Sequence, residues 1–241
     1  MRNLLTALAA LVIVVAAGAA YYFVSRDTSS VVSSPPQSSS LPTAPTPPGQ
    51  PAATEQPEIG PDEHVLGKAD APVTIIEYAS MTCPHCANFH AQVLPRIKSE
   101  YIDKGLVRLV YRHFPLDQLA ARASLLAECV SDDGFFNMTD FLYRSQKDWS
   151  RAADPAAALK QIGRTVGLAD ADIDRCTADE AVVNSMVTGM QDAQSRFGIN
   201  STPSFVVNGK TYTNRPFEDY QEEGTTQPGF DKIIKDLLPK T

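Results

Sequence analysis

VTIIEYASMTCPHC, running from Val73 to Cys86, is the stretch on which the fold turns. Its first half, Val73 to Tyr78, is β-branched and apolar on both alternating faces, so it reads as a central strand covered on both sides. Glu77 is the odd member of that run. The second half ends in Cys83-Pro84-His85-Cys86, with the proline where the first turn of a helix accepts one. From Cys83 to about Tyr101, Phe89, Val93 and Ile97 recur at fourfold spacing and predict a helix, with Pro95 as a kink. Leu106 to Arg112 then reads as a second strand. Strand, helix and strand make a βαβ unit, with the cysteine pair at its first turn.

Downstream, the next strand signal is Ser204 to Asn208, where Asn208-Gly209 predicts a hairpin turn into Lys210 to Thr213. A crossover needs about a dozen residues, and far more separate Phe114 from Pro203. The surplus, about 116–198, predicts an inserted helical unit. Leu119, Ala123, Leu126 and Val130 form one stripe, and Asp154-Pro155 starts a helix carrying Leu159, Ile162 and Val166. Thr177 to Glu180 matches a capping box, followed by Val183, Met186, Met190, Ala193 and Phe197 up to Gly198 as terminator. A helix from about Gly229 to Leu238 closes the chain.

Upstream, residues 1–27 predict a membrane segment. Leu4 to Val24 is almost wholly apolar, and about 1.5 Å of rise per residue carries such a run across a bilayer core. Arg2 keeps the amino end cytoplasmic, so the rest of the chain is expected to be exported. A cleaved signal peptide using Ala17 to Ala20 competes with a retained anchor. The anchor is favoured because the apolar run continues through Tyr21, Tyr22, Phe23 and Val24. Residues 28–58 are rich in Pro, Ser and Thr and offer few large apolar groups, which predicts a disordered tether. The folded part is then 59–241: an α/β unit with a helical insertion.

The 241-residue chain carries a formal charge of −7. Its Lys and Arg do not cluster, which argues against a nucleic-acid partner. No cofactor or metal is expected. A C-x-x-C can be half a zinc site, but Cys129 and Cys176 lie far apart and supply no second close pair. The cysteines instead split into a working pair, Cys83 and Cys86, and two distant singles. Two thiols within one helical turn suit dithiol–disulfide exchange: the first attacks and the second resolves. Orphan N–H groups at the helix start favour a Cys83 thiolate, and His85 can add a donor or a positive charge. Cys129 and Cys176 both fall at expected helix ends, where a structural disulfide can form in an oxidising compartment; two buried free thiols are the alternative.

The Val73 to Cys86 stretch, the helical insert, and Thr202-Pro203 before a strand together resemble the DsbA-like thioredoxin superfamily over about Ile59 to Thr241. The resemblance implies a thioredoxin-like fold and a thiol:disulfide oxidoreductase. Cys83 would be its exposed nucleophile, Cys86 the buried resolving thiol, and Pro203 a cis proline beside a Thr202 backbone open to substrate, with a trans proline opening a strand as the alternative for Pro203. Glu77 takes the place of a buried acid serving Cys86; a solvent-facing glutamate at a strand end stays open as its alternative. The implied partners are reduced exported proteins and a membrane quinone-linked reoxidase of the DsbB type. The implied setting is a monomer on the periplasmic side of the bacterial inner membrane, anchored by its N-terminal helix or soluble after cleavage. An isomerase or reductase of the same fold is the nearest rival. A non-enzymatic peptide-binding or metal-handling protein is a rival from another class.

Overall fold

The computed structural model describes residues 56–240. The expected membrane segment at 1–27 and nearly all of the tether at 28–58 lie outside the described residues. Among the described residues no helix is long and apolar enough to cross a membrane.

The elements in chain order are β1 (His64–Leu66), β2 (Val73–Ala79), α1 (Pro84–Asn88), a π-helical turn (Phe89–Val93), α2 (Leu94–Ile97), a second π-helical turn (Lys98–Ile102) and β3 (Val107–His113). The insert supplies α3 (Gln118–Ala127), α4 (Asp132–Arg144), α5 (Gln146–Ser150), α6 (Pro155–Thr165), α7 (Asp170–Cys176) and α8 (Glu180–Phe197). After it come β4 (Ser204–Val207), β5 (Lys210–Thr213), the hairpin β6 (Tyr220–Glu222) and β7 (Thr225–Gln227), and α9 (Phe230–Leu237). The main sheet runs β1-β3-β2-β4-β5. β2 and β3 are parallel, with Val73 opposite Val107 and Ala79 opposite His113. β4 lies antiparallel on the other side of β2, with Glu77 opposite Phe205.

Position and burial of β2 follow from its composition. With strands on both sides and apolar groups on both faces, all its residues are buried. Val73 and Ile75 pack with Leu109, Phe205 and the helical run 84–102, and Phe230, Ile233 and Ile234 of α9 complete that layer. Ile76 and Tyr78 face the opposite way, toward Val110, Val206 and Ala193 of α8. A third cluster belongs to the insert. Leu126, Phe135, Met138, Leu142, Trp149 and Leu159 pack together with Met81, Cys83 and Cys86, so the insert's core extends to the cysteine pair.

Local chemistry sets several boundaries. Asn208 and Gly209 both take positive φ, 42° and 86°, the geometry a two-residue hairpin turn demands. Gly198 closes α8 in the left-handed region at φ 64°. The kink expected at Pro95 takes the form of a π-helical turn just before it, closed by the Leu94 N–H on Phe89 O. A proline ring clashes with the carbonyl four residues back, and the wider turn accommodates that clash.

Three expectations need correction. The cap of α8 is Asp179, whose carboxylate accepts from Ala181 N and Val182 N. Thr177 instead donates its hydroxyl to Ile173 O at 2.7 Å and ends α7, so the capping box does not form. A carboxylate beside a helix N-terminus is favoured by the helix dipole, which accounts for the choice. Val166 and Val183 are not core: they are 42% and 37% exposed, the first past the end of α6 and the second on the outer side of α8. Val130, at the end of the first stripe, lies beyond α3.

Candidate active site

Cys83 sits at the N-cap of α1 with extended backbone angles and makes no side-chain cap bond. Its loop is held from several directions. The Cys83 N–H donates to Ser80 O at 3.1 Å, and the Thr82 hydroxyl donates to Asp117 Oδ2 at 2.7 Å. Gln146, buried on α5, donates its amide to Met81 O at 2.8 Å and Cys83 O at 3.0 Å. Across the site the Thr202–Pro203 peptide is cis. Thr202 O accepts the Cys83 thiol at 3.3 Å.

Cys83 is therefore not the exposed nucleophile that was expected. It is 5% exposed, because the Thr202–Pro203 segment and the insert's core close over it. Cys86 is fully buried, and both cysteines are free thiols. Their environments push them apart. The Cys86 thiol beside it, outweighing the effect of burial, holds Cys83 down at about 5; Thr202 and the main-chain N–H groups of Cys86 and His85 add to this. Burial pushes Cys86 far up, and the neighbouring Cys83 and the Glu77 charge push it further. His85 contributes its main-chain N–H to Cys83, while the residue itself is exposed.

Glu77 lies on the β2 face that carries α1 and is fully buried, which removes the solvent-facing alternative. His90 Nε2 donates to it at 3.0 and 3.2 Å. The His90 ring stacks on Tyr143 at 4.3 Å, and the Tyr143 and Tyr111 hydroxyls meet at 2.9 Å. Burial raises both phenols well above their ordinary value, and the charge of Glu77 adds to each. Beneath Cys86 there is thus a polar layer of Glu77, His90, Tyr111 and Tyr143. Cys129 and Cys176 are joined as a disulfide with Cα atoms 5.5 Å apart, tying the end of α3 to the end of α7 within the insert. Beside the Cys83–Cys86 turn opens a cavity of about 510 Å³ whose walls include His85, Phe89, Arg96, Pro203, Arg215 and Tyr220.

The sequence profile of the family described as Thioredoxin matches residues 60–223. Disulfide bond formation protein D of Bacillus subtilis (strain 168) is 30% identical over 178 residues, covering 72% of this chain and 79% of that protein. The crystal structure of Wolbachia pipientis alpha-DsbA1 superposes with a TM-score of 0.62 at 30% identity, covering 74% of this chain and 92% of that one. This chain belongs to the DsbA-like branch of the thioredoxin superfamily. BdbD from Bacillus subtilis shares the fold, with a TM-score of 0.57 at 24% identity over 73% of this chain and 90% of that one. The chain spans about six tenths of the length of its Rickettsia relatives: 59% of that of Rickettsia bellii at 31% identity and 62% of that of Rickettsia felis at 29%.

Three parts of this DsbA-like site were not read from the sequence. His90 carried a signal, since it lies four residues after Cys86 and so near it on the same helical run. Gln146 and the Thr82–Asp117 bond carried none, because each joins segments that only the tertiary fold brings together.

Proposed function

We propose that this DsbA-like protein is a thiol:disulfide oxidoreductase that donates a Cys83–Cys86 disulfide to reduced exported proteins. A substrate thiolate attacks Cys83 Sγ, and the Cys83–Cys86 bond breaks. Cys86 leaves as a thiolate and takes up a proton, with Glu77, linked to His90, as the buried carboxylate placed to pass it on. A second substrate thiolate then attacks the substrate sulfur of the mixed disulfide, and Cys83 departs as a thiolate. The substrate loses two electrons and the Cys83/Cys86 pair gains them. A membrane quinone-linked reoxidase of the DsbB type would remove them again. Pro203 and the Thr202 backbone would align the incoming segment, and His85 and Pro84 would shape the turn that presents Cys83.

The supporting observation is the split between the two thiols. A leaving thiol held at about 5 is ionised at pH 7, which stabilises the dithiol form. Against an unperturbed thiol near 9 this amounts to about 3 kcal/mol, or about 60 mV in the oxidising direction. Equilibration of the pair with glutathione tests it. A potential above about −180 mV supports a donor of disulfides, and one below about −230 mV makes the protein a reductase.

The same reading places the folded part outside the cytoplasm as a monomer, with residues 1–27 anchoring it to the inner membrane. Membrane fractionation with amino-terminal sequencing checks this. A mature chain beginning near Ala20 replaces the anchor with a cleaved signal.

A further inference from the structure

Arg215 lies just after β5, on the wall of the cavity that also takes in His85 and Pro203. Its guanidinium sits between two aromatic rings, 5.5 Å from the Tyr212 centroid and 5.2 Å from that of Tyr220. Nη1 donates to the Tyr220 hydroxyl, which in turn donates to Glu222 Oε2 at 3.3 Å, while Nε is buried and makes no hydrogen bond. The other arginine of this cavity is differently placed. Arg96 is met by Glu218 at 2.9 Å and Glu100 at 3.4 Å, so its charge is answered from within the chain. Among the described residues Arg215 forms no ion pair.

A buried N–H donor with no acceptor is costly, and more so when it belongs to a charged group. Held beside a reactive thiol pair, such a group is completed by an acceptor that arrives on another molecule. The planar fork matches a carboxylate, and flanking rings fix that plane before binding. The protein as a whole carries a charge of −7 and repels acidic segments at long range, so accepting one requires a local cation at the point of docking. The position fits: Thr202 O touches Cys83 Sγ, Pro203 comes next in the chain, and the cavity leads from Pro203 to Arg215.

We propose that Arg215 is a specificity determinant that receives a carboxylate side chain carried by the substrate segment within a few residues of its reactive cysteine. This rests on the oxidoreductase function proposed for the Cys83/Cys86 pair. It is tested with oxidised full-length protein and dithiol peptides that differ only in bearing Glu, Gln or Lys beside the reactive cysteine. Peptide oxidation is followed by quenched-flow mass spectrometry, and the readout is the ratio of kcat/KM values within each protein variant. Wild type should prefer Glu over Gln by about tenfold, the size of one charge-assisted hydrogen bond, with Lys slowest. Arg215→Gln should bring the Glu-to-Gln ratio close to one. Arg215→Lys should keep the direction of the preference and weaken it, because a point charge lacks the fork. A Glu-to-Gln ratio near one in wild type while both peptides are oxidised overturns the assignment of Arg215, as does a preference that survives Arg215→Gln. Failure of wild type to oxidise any peptide overturns the oxidoreductase function and this proposal with it.

Discussion

When Cys83 ionises, its sulfur changes from hydrogen-bond donor to acceptor, and its neighbours serve both states. As a thiol it donates to Thr202 O; as a thiolate it collects the Cys86 thiol and the N–H groups of His85 and Cys86. The pH dependence of alkylation by iodoacetamide should therefore show a midpoint near 5, and a midpoint near 8 would remove the basis for an activated thiol. The folded-state value is depressed, so the stabilisation of the dithiol form is complete above the unfolded value near 9 and is lost as pH falls toward about 5. The potential should track this: reduction takes up one proton per two electrons above that value and two below it. Its slope should steepen from about −30 to about −59 mV per pH unit on crossing pH 5, as glutathione equilibration across that range would show. Cys83→Ala should abolish exchange, and Cys86→Ala should accumulate mixed disulfides visible on non-reducing gels. Equal accumulation in both variants would overturn the assignment of nucleophile and resolving thiol.

A short helix and a disulfide brace the insert, and the helix also holds the cysteine turn. α5 places the Gln146 amide against two loop carbonyls; Gln146→Leu strands Met81 O in a buried site, while Cys83 O keeps the Ala87 N–H. The variant should lose about 1–3 kcal/mol in urea unfolding; no loss would show that the loop is held without α5. The disulfide between the ends of α3 and α7 closes a loop of 47 residues. In the chain-entropy model that contributes roughly 4 kcal/mol, so Cys129→Ala with Cys176→Ala should lower the melting temperature while peptide oxidation largely persists. Unchanged stability with a shifted Cys83/Cys86 potential would make the second bridge a redox regulator. These elements also show what a sequence discloses. β2, the start of α1 and the Asn208-Gly209 turn were legible because periodicity, a proline at the helix start and positive-φ residues are local signals. β1 was not: its three half-buried residues make no pattern, and β3 supplies the pairing that defines it. The polar strands β6 and β7 were missed for the same reason. The polar layer under Cys86 was half legible: Glu77 stood out as a charge in an apolar strand, but its partner depends on how the helical run crosses the sheet.

At the scale of the molecule, Glu128 ties the insert to the sheet. His64 of β1 donates to it at 2.9 Å and His113 of β3 at 2.7 Å, and the His64 ring stacks on Phe135 of α4 at 3.5 Å. Burial pushes the Glu128 carboxyl up, but the bonds from His113 and then His64 outweigh it and hold it at about 2. The sign is that of a depressed acid: the stabilisation is complete above the unfolded value near 4.5 and is lost as pH falls toward about 2. Glu128→Gln should cost about 3 kcal/mol at pH 7, and its unfolding curve should converge with that of wild type near pH 2. Parallel curves across that range would show that the clamp is not electrostatic. The bridge beside it, Cys129 to Cys176, has a consequence for the life of the molecule. A newly made chain emerges with that bond unformed, so if the protein donates disulfides as proposed, each new copy begins as a client of the copies before it. The supply of mature protein would then be self-propagating. In cells expressing only Cys83→Ala, newly made chains should linger with Cys129 and Cys176 reduced, and a small amount of wild type should restore their bridge.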